Sequence, residues 1–259
     1  MNLHLQEKII IVSGGAKGIG EGIATLLAQE GAIPVIIGRD ENDNNKFVAS
    51  LQANGYKAGQ VVAELSDPLQ CENAIKQIAA TYGRIDGLVN NAGVNDTINL
   101  ENGNYEGFMS SLHKNVVHYY LLAHHALPYI KIAKGSIVNI SSKVADTGQG
   151  ETSGYAAANG ARNALTREWA VELLKYGIRV NSVIVAECFT PLYDKWIKSL
   201  PNPEEKLAQI QSKIPLGNRF TTTEEIANTV AFLLSSASSH TTGQLVYVDG
   251  GYTHLDRTL

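Results

Sequence analysis

A chain of 259 residues with 44% hydrophobic content can bury one large α/β core or two small ones. Charged residues make up 18%, below the roughly 25% of ordinary globular chains, which excludes an intrinsically disordered protein. With 21 Lys and Arg against 25 Asp and Glu, the net charge is −4, and no basic surplus exists to neutralise phosphates, so nucleic acid is not expected as a partner. Cys71 and Cys188 form neither a disulfide framework nor a zinc motif and read as two buried thiols of a reducing compartment. The N-terminus lacks the basic flank and apolar core of a signal peptide. No run approaches the ~18 apolar residues of a membrane span. A soluble, cytoplasmic protein is expected.

Along the chain, short β-branched runs alternate with longer segments of helical period. The strands expected are Lys8–Val12, Ile33–Ile37, Gly59–Val62, Gly87–Val89, Ser136–Ile140, Arg179–Val185 and Leu245–Val248. Their continuous apolar character says that both faces are buried, as in a parallel sheet. The helices expected are Gly18–Gln29, Asp43–Asn54, Pro68–Tyr82, Tyr105–Ile130, Gly154–Lys175, Pro203–Ser212 and Thr223–Leu234. The last opens with Thr222 or Thr223 as cap and with Glu224 and Glu225 at the positive helix end. This rhythm predicts one α/β domain over residues 1–259, a doubly wound parallel sheet of about seven strands with helices on both faces, the Rossmann fold.

The first strand runs into Ser13-Gly14-Gly15-Ala16-Lys17-Gly18-Ile19-Gly20 and then a helix. Glycines there permit positive φ and a close backbone approach, so that the amides of the turn and helix end can reach a pyrophosphate. The spacing Gly14-xxx-Gly18-x-Gly20 differs from G-x-G-x-x-G but occupies the same place in a βαβ unit. Lys17, Gly18, Ile19 and Gly20 are therefore expected at a dinucleotide. After the second strand, Arg39 and Lys17 suit a ribose 2′-phosphate, whereas Asp40 stands at the offset of an NAD-selecting acid. Two cations against one acid that can turn to solvent favour NADP, with NAD as second choice; a plain Arg39–Asp40 pair stays open.

Four further pieces stand together: Asn90-Asn91-Ala92-Gly93 after the fourth strand, Asn115 in the long helix, Ser141-Ser142 at the end of the fifth strand, and Tyr155 at the next helix start. Ligands of doubly wound sheets sit beyond the carboxyl ends of the strands, where Ser142 and Tyr155 can converge. With Val248-Asp249-Gly250-Gly251 near the end, this pattern resembles the short-chain dehydrogenase/reductase family in its compact form, over essentially the whole chain. The resemblance implies a nicotinamide-dependent oxidoreductase. In it, Ser142 hydrogen-bonds the substrate oxygen, Tyr155 is the general acid/base, and Asn115 holds a water of the proton relay. Asn91, Ala92 and Gly93 pack under the adenosine ribose, Glu64 and Leu65 lie at the adenine, and Val185 and Thr190 lie at the nicotinamide.

Two positions depart from that pattern. The family places Lys one helical turn after the Tyr, where this chain has Asn159. Asn159 can still hydrogen-bond a ribose but carries no charge to favour a phenolate. A unit charge at 4 Å is worth about 4 kcal/mol at an effective dielectric near 20, roughly a thousandfold in rate. Arg162 and Lys143 stand at spacings from which a cation can reach back, but both are read as ordinary surface residues. After the sixth strand, Val185-Ala186 replaces Pro-Gly, and the acid Glu187 follows. A carboxylate there, with Gln149 nearby, suits a polyhydroxylated substrate, although an acid turned to solvent or to a nearby Lys is an equal alternative.

Asn95-Asp96, Ser142-Lys143, Gln149-Gly150, Thr166–Ala170, Ala186-Glu187, Thr190–Tyr193 and Gly250–Arg257 together look like the sugar-oxidising branch, L-fucose dehydrogenases in particular. The resemblance implies an aldose oxidised at its anomeric carbon, a mobile lid over residues 191–217, and a homo-oligomer, dimer or tetramer, built on the long helices. His118, His124 and His125 are read as structural, and no metal is expected. Loss of the Lys leaves a second reading, a nucleotide-binding sensor or oligomer partner without hydride transfer. Retention of Ser142, Tyr155 and Asn115 favours the enzyme.

Overall fold

The computed structural model describes residues 2–255. Seven parallel strands form one sheet in the order β3-β2-β1-β4-β5-β6-β7. They are β1 (Ile9–Ser13), β2 (Ile33–Gly38), β3 (Gly59–Val62), β4 (Gly87–Asn90), β5 (Ser136–Ser142), β6 (Arg179–Val185) and β7 (Leu245–Val248). The expected strands are all present, with β5 running two residues further to include Ser141 and Ser142. The strand order reverses between β1 and β4, and a ligand site is expected in the crevice beyond the strand ends there.

Alternate residues of each strand enter opposite cores. Ile9 and Ile11 of β1 pack with Tyr119, Leu122 and Trp169 on one face. Ile10 and Val12 pack with Ile23, Leu27, Ile226 and Val230 on the other. Nearly unbroken Ile and Val runs are the direct consequence of burial on both faces. The helices are α1 (Gly18–Gln29), α2 (Glu41–Ala53), α3 (Pro68–Tyr82), α4 (Tyr105–Leu112), α5 (His118–Ala133), α6 (Ser153–Leu173), α7 (Pro191–Ile197), α8 (Pro203–Ser212) and α9 (Thr223–Leu234). Thr222 caps α9 in a reciprocal capping box with Glu225.

Three details differ from the sequence expectation. Helix α2 starts at Glu41 because the Asp40 side chain caps it, accepting from the Asp43 amide at 3.0 Å. The single long helix expected over 105–130 is interrupted by a π-helical turn, His113–Val117. There the Asn115 amide takes the Ser111 carbonyl one turn back at 3.0 Å, a side-chain bond that competes with regular backbone pairing. The third difference is α7, a short helix begun by Pro191 and capped by Thr190. Asp256 and Arg257, part of the motif quoted for the sugar-oxidising branch, lie outside the described residues. No described helix is long and apolar enough to cross a membrane.

Candidate active site

The loop after β1 is a cradle from which side chains are excluded. Gly14 and Gly18 take φ of +65° and +59°, the left-handed region that favours glycine. A Cβ on Gly14 would lie 3.0 Å from the Ala92 backbone, and one on Gly20 would lie 2.2 Å from the Gly14 carbonyl oxygen. Lys17 provides no side-chain cap to α1, so the helix end is left for an anion. Asn91 straps the loop from the β4 end: its Nδ2 donates to the carbonyls of Ser13 (3.0 Å) and Gly14 (3.2 Å). The Ser13 hydroxyl accepts from the amides of Asn91 and Ala92. Thr190, after β6, faces the same loop, within 3.3 Å of a Cβ built on Gly18. These features fit the pyrophosphate of a dinucleotide.

At the ribose end, Lys17 pairs with Asp43, and Arg39 lies 3.6 Å from Glu64. The alternative Arg39–Asp40 pair is not formed; Asp40 is exposed and caps the α2 N-terminus through one of its carboxylate oxygens. Glu64 also accepts from the amide and hydroxyl of Ser66. The Leu65 side chain belongs to the core.

The catalytic candidates lie at the carboxyl ends of the central strands. Ser142 closes β5 opposite Val185 of β6. Its hydroxyl accepts only a long bond, 3.5 Å, from the Val144 amide. Tyr155 occupies the first turn of α6, and its hydroxyl bonds to no other described residue. Asn115 sits in the π turn, with Oδ1 accepting from the Val94 amide at 2.8 Å.

Asn159 and Arg162 depart from expectation. Asn159 is fully buried, and its amide is committed to the protein. Nδ2 donates to the Tyr155 carbonyl at 2.8 Å, while Oδ1 accepts from Arg162 at 3.0 Å. It is therefore not offered to a ribose, as the sequence reading allowed. Arg162 is not a surface cation: it is 3% exposed and donates to the Asn115 carbonyl at 2.6 Å and to the Ile140 carbonyl at 3.2 Å. Its guanidinium lies 4.3 Å from the Tyr119 ring and 6.0 Å from the Tyr155 ring.

Lys143 is the second correction, since its side chain is only 9% exposed. It pairs with Glu187, itself 12% exposed, and stands 3.7 Å over the Tyr252 ring. The Tyr193 hydroxyl donates to the other Glu187 oxygen at 2.8 Å. Burial, reinforced by the Glu187 charge, pushes the Tyr193 phenol up, so it stays a donor. Four separate segments thus meet at the open end of β5 and β6: the turn after β5, the turn after β6, α7 and the segment after β7. Lys143 and Tyr193 lie among residues quoted for the resemblance, but nothing local signals their burial. The signal was Glu187, an unmatched acid at a strand end. Gln149 is exposed in the loop between β5 and α6. His124 stacks on Tyr120, and no three metal-ligating residues cluster among the described residues.

A family model described as enoyl-(acyl carrier protein) reductase matches residues 14–253. The 3-oxoacyl-[acyl-carrier-protein] reductase FabG of Thermotoga maritima is 35% identical over 96% of this chain and 99% of its own. The L-fucose dehydrogenase of Bos taurus is 31% identical over 97% of this chain and 91% of its own. Among solved structures, the Cj0485 dehydrogenase superposes with a TM-score of 0.94 at 47% identity, covering 100% of this chain and 99% of that one. The chain belongs to the short-chain dehydrogenase/reductase family and is an oxidoreductase that uses a nicotinamide cofactor. Such a cofactor would supply or take up the hydride, and the loop of Gly14, Gly18 and Gly20 with Asn91 would hold it.

Proposed function

We propose that this protein is a dehydrogenase of a small polyhydroxylated substrate, best represented by an L-fucose-like aldose. The observation that carries the reading is the Lys143–Glu187–Tyr193 cluster at the strand ends. A carboxylate offers about four lone-pair positions, and Lys143 and Tyr193 occupy one on each oxygen. Sugar hydroxyls suit the remainder, whereas an apolar acyl chain gains nothing from a buried charge. The L-fucose dehydrogenase relatives support the sugar, and the FabG relative supports an acyl thioester. Tyr155 is the general acid/base and Ser142 the donor to the reacting oxygen. In the oxidative direction the substrate hydroxyl yields its proton to Tyr155 while the hydride leaves the same carbon.

The cofactor reading is NADP. Asp40, the acid that would select NAD, is engaged as a helix cap, and two exposed cations face the same end. We further read residues 191–217 as a substrate lid, pinned through Tyr193 and its ring contacts with Phe189, Trp196 and Phe220. The chain is read as one domain, cytoplasmic, with no nucleic-acid partner. A homo-oligomer is supported by exposed Tyr120, Val171 and Leu174 on and beside α5 and α6, and light scattering tests it.

Turnover of L-fucose, other aldoses, polyols, a cyclic ketone and an acetoacetyl thioester, each with NADP(H) and NAD(H), tests the substrate class. Sugar turnover dependent on Glu187 is expected. Activity confined to the thioester would sink the sugar reading and leave the family intact.

A further inference from the structure

Arg162 is a buried cation with no acidic partner in ion-pair range among the described residues. Its donors are satisfied by neutral acceptors: the carbonyls of Asn115 and Ile140 and the side-chain oxygens of Asn159 and Asn115. Gly93 packs so closely that a Cβ there would fall 2.9 Å from Nη2. Burying a guanidinium is costly unless an opposite charge is supplied, and hydrogen bonds to neutral groups leave the charge itself unmatched.

The groups around it are held neutral. His118, at the start of α5, is pushed down to about 4 by burial and by Arg162. Tyr119, on the same helix, is pushed up by burial, and its hydroxyl donates to the Ile140 carbonyl at 3.0 Å. Of the charges on neighbouring elements, Lys143 is matched by Glu187, Glu64 faces Arg39, and Asp96 accepts from the Ser111 hydroxyl. Tyr155, 6.0 Å away on the same helix, is the group left to become an anion.

We propose that Arg162 is a positioning residue that takes over the electrostatic role left open by Asn159, stabilising the Tyr155 phenolate while locking Asn115 and Asn159 in place. This rests on Tyr155 being the acid/base. The guanidinium acts from behind the tyrosine, through Asn159 and through space, rather than from the ligand side. The arrangement makes residues 159 and 162 a reciprocal pair: the pocket holds one cation, supplied from either position.

The test is the set Arg162→Met, Arg162→Lys, Asn159→Lys and Asn159→Lys/Arg162→Met. It is read by melting temperature, by the pH dependence of kcat/KM, and by near-ultraviolet phenolate titration differenced against the same proteins carrying Tyr155→Phe. A charge about 6 Å from the Tyr155 ring predicts that Arg162→Met loses roughly a hundredfold at neutral pH, the rising acid-side limb of its kcat/KM profile moving up about two pH units. Arg162→Lys keeps more activity than Arg162→Met. Asn159→Lys alone melts lower and gains nothing, because it places a second cation against the first. The double variant recovers both stability and the pH profile.

A folded Arg162→Met with an unmoved pH profile overturns the proposal. So does an Asn159→Lys that gains activity without losing stability. If Arg162→Met does not fold, the single and double Asn159→Lys variants decide the matter by the sign of their coupling. If no substrate turns over, the phenolate titration still reads the charge: a Tyr155 signal that shifts on loss of Arg162 supports the proposal, and one that does not refutes it.

Discussion

Replacing Glu187 by Gln removes one negative charge and little volume from the Lys143–Glu187–Tyr193 cluster. The Tyr193 hydroxyl can still donate to the amide oxygen, but the amide nitrogen then confronts Lys143, which is itself nearly buried. Removing one partner of a buried pair costs about 3–5 kcal/mol, because the other charge is stranded. The Tyr252 ring at 3.7 Å from the ammonium offsets part of this, about 1–2 kcal/mol. The net loss is about 1–4 kcal/mol, a fall in melting temperature of roughly 2–16 °C for a chain of this size. A charge-assisted hydrogen bond from a substrate hydroxyl is worth about 1.5–3 kcal/mol, so kcat/KM for the sugar falls roughly ten- to a hundredfold. Scanning calorimetry and steady-state kinetics on the same preparation measure both. A melting point within about a degree of the parent, with unchanged kcat/KM, would refute the reasoning that the carboxylate is structurally buried and faces the substrate.

Two further outcomes follow from charges elsewhere. Lys17→Ala or Arg39→Ala should each raise the KM for NADP about tenfold and leave that for NAD nearly unchanged, since each removes one exposed partner of a 2′-phosphate; equal effects on both cofactors would reverse the NADP assignment. Asp86 is buried, which disfavours its charged form. Arg84, the Ile9 amide and Lys8 outweigh that cost and hold its carboxyl below the usual carboxylate range. A depressed carboxylate stabilises the fold above its unfolded value and loses that contribution as pH falls. Asp86→Asn should therefore melt lower at neutral pH, and the difference from the parent should shrink below about pH 4. A difference that stays constant down to acid pH would contradict this.

Much of the fold was legible because it rests on local signals. Unbroken Ile and Val runs such as Ile9–Val12 are what a doubly covered parallel strand requires, and Gly14 and Gly18 stand where only a left-handed turn fits. The π turn at Asn115 was not legible, since no proline or glycine marks it and the bonds that accompany it, from Asn115 to the Ser111 carbonyl and from Arg162 to the Asn115 carbonyl, are side-chain bonds. Arg162 and Lys143 read as surface residues because charged side chains are rarely buried. Their partners lie far off in the chain: Arg162 is held by Asn115 and Ile140, and Lys143 by Glu187. The spacing of Arg162, two turns after Tyr155, was a usable signal. The emptiness of carboxylates around it was visible only in three dimensions.

The central claim is that Tyr155 moves the proton while the glycine cradle and strand ends bind the nicotinamide cofactor. The most direct measurement compares Tyr155→Phe with the parent protein, following cofactor binding by titration and hydride transfer with L-fucose by absorbance. The account predicts that binding is kept and turnover falls at least a hundredfold, the scale of a lost general acid/base. Turnover that survives the substitution within a factor of a few would place the proton transfer elsewhere and contradict the account.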